Sequence, residues 1–564
     1  MKKYFELLSR TKKSLNFFSK FIIFNFLIFI NISSVPKLTI IMVIDQFAYS
    51  YMEKLGENFK YAFKDLRENG IYFTNAHHPH GIPATATGHN ALNTGTFAKN
   101  HGIIMNSWIE DSKKFSANKD NSPNSLVFNL DGVQDYGYST KDIMCSGLTD
   151  EFVKKYPNDI TYSLSYKPRA AIGMSGKTGK PIWFDDKLGI FTTSKAFFPK
   201  LPDWVKEFNN TYKLDYKIEN SIWNRMYPKK SNFYNLPDLD FHKNSNYKYA
   251  TYHKSLICKK RLDESTDKIG KKNKPKIKTY SRFIKSPMAN QVLLDFAKNC
   301  IDNNLHEDNK MLLWISLSPL DHLGHIYGPD SIEITDMIYH LDKQIKNFLE
   351  KIYQNIDEED LLFVLTADHG VQPLVELNKE DDYPAYRINS SKLITKINEH
   401  IQNKYNIKKL ITDFEGSQFY FDMKKFNRLD AKTKSEIYSD IKNIALNKKG
   451  VAYALTTQEL QNQNFEFDSV LNFYKQQIYS NRSGQFFIIP NEYSDISNYK
   501  FGAGHKSGYE YNTHVPLIIY QKGKFEKETI NKKVWMPQLP VTIAKILNIN
   551  KPEKSEFEPL ILTN

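Results

Sequence analysis

Leu38-Thr-Ile-Ile-Met-Val-Ile44, followed directly by Asp45, decides the fold of this chain. Five of its seven residues are β-branched and none is charged. A continuous apolar run of this kind fits a strand buried on both faces, which arises where helices cover both sides of a mostly parallel sheet. Met311 to Ser316 (MLLWIS) and Leu361 to Thr366 (LLFVLT) have the same character, and His514 to Tyr520 (HVPLIIY) is a fourth such run. Helical patterns lie between them. Ser286 and Pro287 supply an N-cap and a first-turn proline ahead of MANQVLLDFAKN, and Ser331 to Leu349 carries apolar residues at helical spacing. Strands alternating with helices define an α/β sheet sandwiched between helix layers. At 564 residues the chain exceeds the size of one hydrophobic core, so a large core with a second module is expected.

Outside these runs the buried-strand signal thins. From about Gly132 to Lys285 loops, aromatics and turn residues dominate, and this tract reads as an insertion. Within it, Lys254 to Lys285 holds 12 Lys and Arg against three acids, with Gly270 and Pro275 as breakers, a solvated surface excursion. From Asp381 to about Asn491 a second tract carries amphipathic helical pieces such as Arg428 to Leu446. The expected organisation is a leader or tether over 1–36, core segments over 37–131, 286–380 and 492–564, a cap over 132–285 carrying Lys167 and Arg169, and an accessory segment over 381–491. There is no internal repeat and no low-complexity linker.

Composition narrows the class. Hydrophobic residues at 41% and aromatics at 14% argue for a packed globular protein and against disorder. The net charge of +14 reflects lysines spread over solvated faces rather than one binding stripe, so no nucleic-acid partner is expected. Cys145, Cys258 and Cys300 offer no metal knuckle and at most one bridge. Lys2, Lys3, Arg10, Lys12, Lys13 and Lys20 precede an apolar run from Phe21 to Ile32 that is broken only by Asn25 and Asn31. That run is shorter than the roughly 20 residues of a spanning helix, so it reads as an export signal. The small residues Ser33 and Ser34 are its cleavage candidates, and a membrane tether is the alternative if it stays uncleaved. No oligomeric state follows from these features.

Acidic and imidazole side chains stand just past the C-terminal ends of the candidate strands, where open α/β sheets place their ligands. Asp45 ends the first run, Asp321 and His325 follow the second in LSPLDHLGHIYGP, and Asp368 and His369 end the third in LTADHG. His505 lies in the glycine-rich FGAGHKSGY ahead of the fourth. Singly, each Asp has the duller use of capping a helix and each His of filling a core or surface niche. Together, three Asp and three His suit zinc in mixed nitrogen and oxygen coordination. Three converging carboxylates repel one another and raise their own pKa values, and two divalent ions cancel that cost.

A nucleophile candidate comes from the turn GIPATATGHNALNTGT over residues 81–96, which leads into a short helix. A hydroxyl there meets exposed amides and a dipole that favour an incoming phosphate. The competing use of Thr85 or Thr87 is simply to cap that helix.

The motifs IDQF, TATGH with its downstream NTGTFAKNHGI, SYKPRAAIG, DHLGHIYGP, ADHG and GHKSGYEYNTHVPL occur in the order seen in the alkaline phosphatase superfamily. From about residue 38 to about 520 the chain resembles its phosphate-irrepressible bacterial alkaline phosphatases, the monoesterase branch with a threonine nucleophile. The resemblance implies a three-layer α/β/α sandwich of the alkaline phosphatase type with inserted cap and accessory segments. It also implies two Zn2+ ions, one on Asp321, His325 and His505 and the other on Asp45, Asp368 and His369, with Thr85 bridging toward the second. The family's Thr-x-x-Gly-His spacing selects Thr85 over Thr87, although Ala-Thr stands here where many relatives have a residue followed by Pro. Asn106 matches the asparagine that contacts a phosphoryl oxygen, and Lys167 and Arg169 match the Lys-x-Arg pair.

Two cations there suit a monoester dianion, because a diester carries one charge and an extra substituent. The expected substrates are therefore small-molecule phosphate monoesters, cleaved through a covalent phosphothreonine. A phosphodiesterase or nucleotide pyrophosphatase on the same metal site is the rival, and a non-catalytic phosphate-binding protein a more distant one. A sulfatase is disfavoured because no Cys-x-Pro-x-Arg or Ser-x-Pro-x-Arg occurs. His77, His78, His80 and His101, which flank the nucleophile turn, are expected to be structural or supporting.

Overall fold

The structure is a computed structural model describing residues 35–110, 112–228, 231–234, 280–380 and 384–563. Residues 1–34 of the expected leader, Cys258 and the basic stretch 254–279 lie outside the described residues. One ten-stranded sheet organises the molecule. Its strands are β1 (Leu38–Ile44), β2 (Ile71–His77), β3 (Ile160–Ser165), β4 (Pro181–Asp185), β5 (Ile190–Thr192), β6 (Met311–Leu317), β7 (Leu361–Thr366), β8 (His514–Tyr520), β9 (Glu528–Ile530) and β10 (Val534–Trp535). Their order is β9-β2-β8-β7-β1-β6-β3-β4-β5, with β10 also pairing β2.

β1 lies at the centre, parallel to β6 on one side and β7 on the other. All seven of its residues are buried, and each fully buried Ile, Leu or Val there contributes about 1.5–3 kcal/mol. The other two predicted central strands are buried along their whole length as well. β8 runs antiparallel to both β7 and β2.

The tract over 132–285, expected as an inserted cap, supplies three strands of this sheet: β3, β4 and β5. The reason is chemical. β3 reads ITYSLS, and its hydroxyls break the apolar run while bonding sideways: Ser163 Oγ donates to the Ala171 carbonyl at 2.7 Å, and Ser165 and Ser318 hydroxyls pair at 3.2 Å. Those bonds satisfy the polar groups inside the fold, so a buried strand needs no continuous apolar run.

Five helices matter for the site: α1 (Thr85–Thr94), α2 (Pro168–Ser175), α3 (Pro287–Asn304), α4 (Pro319–Tyr327) and α5 (Ile332–Tyr353). α2, α3 and α4 all begin with proline at the first helical position, where its missing N–H costs nothing. α3 starts after Ser286 and α5 after Ser331, whose hydroxyl accepts from the Ile334 amide. Beyond α5 a separate four-stranded sheet, ordered Ile411–Glu415, Gln418–Phe421, Phe486–Pro490 and Val451–Thr456, packs with Ser390–Tyr405 and Ala431–Leu446 around its own apolar cluster. Among the described residues no helix is long and apolar enough to cross a membrane.

Candidate active site and metal centre

Because β7, β1 and β6 are neighbours and parallel, their C-terminal ends deliver Asp368 and His369, then Asp45, then Asp321 and His325 side by side. The Asp45 amide donates to the Leu317 carbonyl at 3.1 Å, fixing the end of β1 to the end of β6. Asp321 sits in the first turn of α4 and His325 one turn later, on the same face. His505 arrives from the loop ahead of β8.

Two groups form. Asp321, His325 and His505 make one; Asp45, Asp368 and His369 make the other, with the candidate ligand atoms of each lying within 4.8 Å of one another. All three imidazoles are anchored alike. Nδ1 of His325, His369 and His505 is 2.8, 2.9 and 2.9 Å from the carbonyls of Ala503, Gly370 and Pro83. A carbonyl only accepts, so each Nδ1 carries the proton and each Nε2 offers a lone pair.

Those lone pairs face carboxylates. His325 Nε2 is 3.1 Å from Asp321 Oδ1, and His369 Nε2 is 3.3 Å from Asp368 Oδ2 and 3.6 Å from Asp45 Oδ1. In the second group Asp45 Oδ1, Asp368 Oδ2 and His369 Nε2 are all buried without a hydrogen-bond partner. Leaving a buried polar atom unsatisfied costs about 1–3 kcal/mol, and more for a charged one. Acceptors converging on one point are relieved by a cation, so the residues fit a divalent metal held by nitrogen and oxygen donors. Burial, with the Asp368 carboxylate next, pushes the Asp45 carboxyl well above the usual range. Against its own burial, Asp321 is held well below that range by the Lys167 ammonium and His325.

A third group, His77, Glu510 and His514, is of a different kind. Its two rings stack at 4.3 Å and 18°, with Tyr49 stacked on His514 at 4.1 Å. Lone pairs in nearly parallel planes do not meet at one ion, and the group is an aromatic stack across β2 and β8. Of the other histidines near the turn, His78 bonds the Ala367 carbonyl at 2.8 Å and His101 accepts from the Ile103 amide at 3.2 Å. Burial pushes His78 down to about 4 and His101 to about 3, so both stay neutral. Neither belongs to a metal group.

Thr85 opens α1. Ala84, which has no capping side chain, takes the N-cap position, so Thr85 stands at the first helical position rather than at the cap. Its hydroxyl lies 3.3 Å from Lys167 Nζ, whereas the Thr87 hydroxyl is buried with no partner. At Gly88 the helix presses on the Asp368 backbone, where a Cβ would stand 2.2 Å from the carbonyl oxygen. His89 then bonds the Thr85 carbonyl at 2.8 Å and the Ser316 hydroxyl at 2.8 Å, pinning α1 to β6. Asn106 Oδ1 accepts from the Ala86 amide at 2.9 Å. An amide N–H must meet the oxygen, so Nδ2 is the atom Asn106 has to offer an anion.

Lys167, at the start of α2, is 3% exposed and reaches Asp45 Oδ2 at 2.6 Å and Asp321 Oδ2 at shorter range. It therefore touches one carboxylate from each metal group as well as Thr85. Arg169 stands two residues on, its Nε buried without a partner and hydrogen-bonded to none of the other candidates among the described residues.

Sequence reasoning missed Gln46. It is fully buried, sits at a φ of +70°, donates from its amide to Asp368 Oδ1 at 3.2 Å and from Nε2 to Asp321 Oδ1 at 2.8 Å. It ties the two groups together, and its only sequence signal is its place after Asp45. Gln46→Glu puts an oxygen where the donor faces Asp321. Metal affinity is expected to fall about 10- to 100-fold, as for other groups that orient ligands. Equilibrium dialysis against a metal buffer reads this, and unaltered affinity contradicts the role.

Fold and candidate site fit a metal-dependent phosphoester hydrolase. The family model for type I phosphodiesterase / nucleotide pyrophosphatase matches residues 39–514, and the chain belongs to that family, within the alkaline phosphatase superfamily. Among named proteins it is similar to alkaline phosphatase PafA of Elizabethkingia meningoseptica, 26% identical over 93% of this chain and 94% of the relative. Alkaline phosphatase PhoV of Synechococcus elongatus is 26% identical over 92% and 91%. A crystal structure of wild-type PafA superposes with a TM-score of 0.78 at 22% identity, covering 93% of this chain and 98% of PafA, which establishes the shared fold.

Proposed function

We propose that the protein is an exported alkaline phosphatase that hydrolyses phosphate monoesters with two zinc ions and a phosphothreonine on Thr85. Asp321, His325 and His505 are the ligands of one ion and Asp45, Asp368 and His369 of the other, with Thr85 at the second. Bound there, the ions supply the positive charge that lowers the hydroxyl's pKa and stabilises the departing oxygen.

The chain's own residues do the rest. Thr85 Oγ1 attacks phosphorus in line, the bond to the leaving oxygen breaks, and the proton given up by Thr85 is matched by the one the alcohol gains. Water then cleaves the phosphothreonine, restoring the hydroxyl and releasing phosphate. Lys167, Arg169 and the Nδ2 donor of Asn106 hold the non-bridging oxygens, charge placed in advance where charge develops. One observation carries the monoester reading: a buried ammonium 3.3 Å from the candidate nucleophile, with a guanidinium two residues further on. The two alkaline phosphatase relatives, similar over nine-tenths of the chain, support it. The N-terminal segment supports export, with membrane attachment only if it stays uncleaved. No nucleic-acid partner belongs to this reading.

The second reading, a phosphodiesterase or nucleotide pyrophosphatase, is favoured by the description of the matching family. Rates on a nitrophenyl monoester and the corresponding methyl nitrophenyl diester separate the two. The proposal expects the monoester to be preferred, and Lys167→Ala with Arg169→Ala to cut monoester kcat/KM by about 10²–10³-fold or more, well beyond any loss on the diester. Faster diester cleavage by the unaltered protein reverses the assignment.

A further inference from the structure

Gln477 belongs to the tract expected as an accessory segment, two residues past the helix Val470–Lys475, yet its side chain reaches the two stretches that carry Thr85 and Asn106. It is 2% exposed. Its Oε1 accepts from the Ile82 amide at 2.7 Å, and its Nε2 donates to the Ile82 carbonyl at 2.8 Å and to the Ile104 carbonyl. One side-chain amide thus spends its oxygen and both its hydrogens on backbone groups 395 and 373 residues away.

Ile82 stands three residues before Thr85, and Ile104 two before Asn106. The far ends of these stretches are already joined, because Asn106 Oδ1 accepts from the Ala86 amide at 2.9 Å. A ring closes: from Ile82 along the chain to Ala86, across to Asn106, back to Ile104 and through Gln477 to Ile82. Two stretches tied at both ends keep one register, whereas a single bond leaves a hinge. The accessory segment presses on the same stretches elsewhere. A Cβ at Gly81 would stand 2.6 Å from the Tyr474 Cα, and one at Gly416, in the turn between Ile411–Glu415 and Gln418–Phe421, 1.8 Å from Met105 Sδ. Thr85 has anchors of its own, since Gly88 packs on Asp368 and His89 bonds the Thr85 carbonyl and Ser316. The member of the ring with most to lose is therefore Asn106.

We propose that Gln477 is a positioning residue, which sets the Nδ2 donor of Asn106 against the phosphoryl oxygens of a substrate attacked by Thr85. The accessory segment then governs turnover without supplying any of the proposed metal ligands. The inference rests on the roles given above to Thr85 and Asn106.

Gln477→Met keeps the bulk of the side chain and removes all three bonds. On the zinc-loaded full chain it is expected to lower kcat/KM about 10- to 100-fold, the loss that a misplacement of about 1 Å brings. Bound zinc should be unchanged, because the bonds of Gln477 go to Ile82 and Ile104 and not to the six proposed ligands. In an Asn106→Ala background, where the ring is already open, the same change should cost less than about threefold. A contact that only supports the fold acts alike in both backgrounds, so its losses multiply. Gln477→Glu, which keeps the acceptor facing the Ile82 amide, carries the cycle should the Met variant not fold. The proposal is overturned by losses that multiply, by kcat/KM within about threefold of wild type, by loss of zinc, or by failure of both variants to fold. Rates are read on whichever of the nitrophenyl monoester and the methyl nitrophenyl diester wild type cleaves faster. A failed monoesterase reading shows in that choice and a failed positioning role in the cycle, and cleavage of neither overturns both.

Discussion

Thr85→Ala is expected to cut turnover of a nitrophenyl monoester by at least about 10⁴-fold while the protein keeps its zinc. Removing a nucleophile takes away the covalent step itself, and losses of that size are seen when one member of a cooperating catalytic unit is deleted. Zinc should stay because the six proposed Asp and His ligands are intact and their anchoring carbonyls come from Ala503, Gly370 and Pro83, not from Thr85. Metal analysis and steady-state rates on the same preparation read both halves. Thr87→Ala is the control, since its hydroxyl does not meet Lys167. A Thr85→Ala protein that turns over within tenfold of wild type assigns the nucleophile elsewhere.

Chelation has the second largest effect. Dialysis against a strong chelator is expected to abolish hydrolysis and to lower the melting temperature, both restored by zinc. Without cations Asp45 and Asp368 lie fully buried beside each other, while the Lys167 ammonium pairs with Asp45 and Asp321. An ion present at 100 times its Kd stabilises a fold by about 2.7 kcal/mol, and each kcal/mol moves the Tm of a large domain by about 2–4 °C. A fall of about 5–10 °C per ion is therefore expected by calorimetry. Acidification acts in the same direction, because the ligands bind metal deprotonated and protons compete for them. Full activity and an unshifted Tm after chelation contradict a metal role.

Much of the candidate site is legible in the sequence, for one physical reason. Buried parallel strands carry so little besides β-branched and aliphatic residues that Asp45 and Asp368 stand out where the runs end. Asp321 and His325 stand out as a four-residue spacing beyond the next run. What stayed hidden depends on contacts distant in sequence. Lys167 meets Asp45 and Asp321 across 122 and 154 residues, and no local pattern announces two such ion pairs. Gln46 is an ordinary residue in an extraordinary backbone conformation, which sequence does not display. β3 escaped notice because Thr161, Ser163 and Ser165 interrupt its apolar pattern, although Ser163 and Ser165 find hydroxyl or carbonyl partners inside the fold. His77 and His514 come together only because antiparallel pairing sets them opposite one another.

Anomalous diffraction at the zinc edge from crystals of the zinc-loaded protein reads out whether the six proposed ligand side chains seat two ions. Two peaks are predicted, one about 2.0–2.2 Å from ligand atoms of Asp321, His325 and His505 and the other at that distance from Asp45, Asp368 and His369. A single peak, or zinc seated between His77 and His514 with those six side chains bare, contradicts the account.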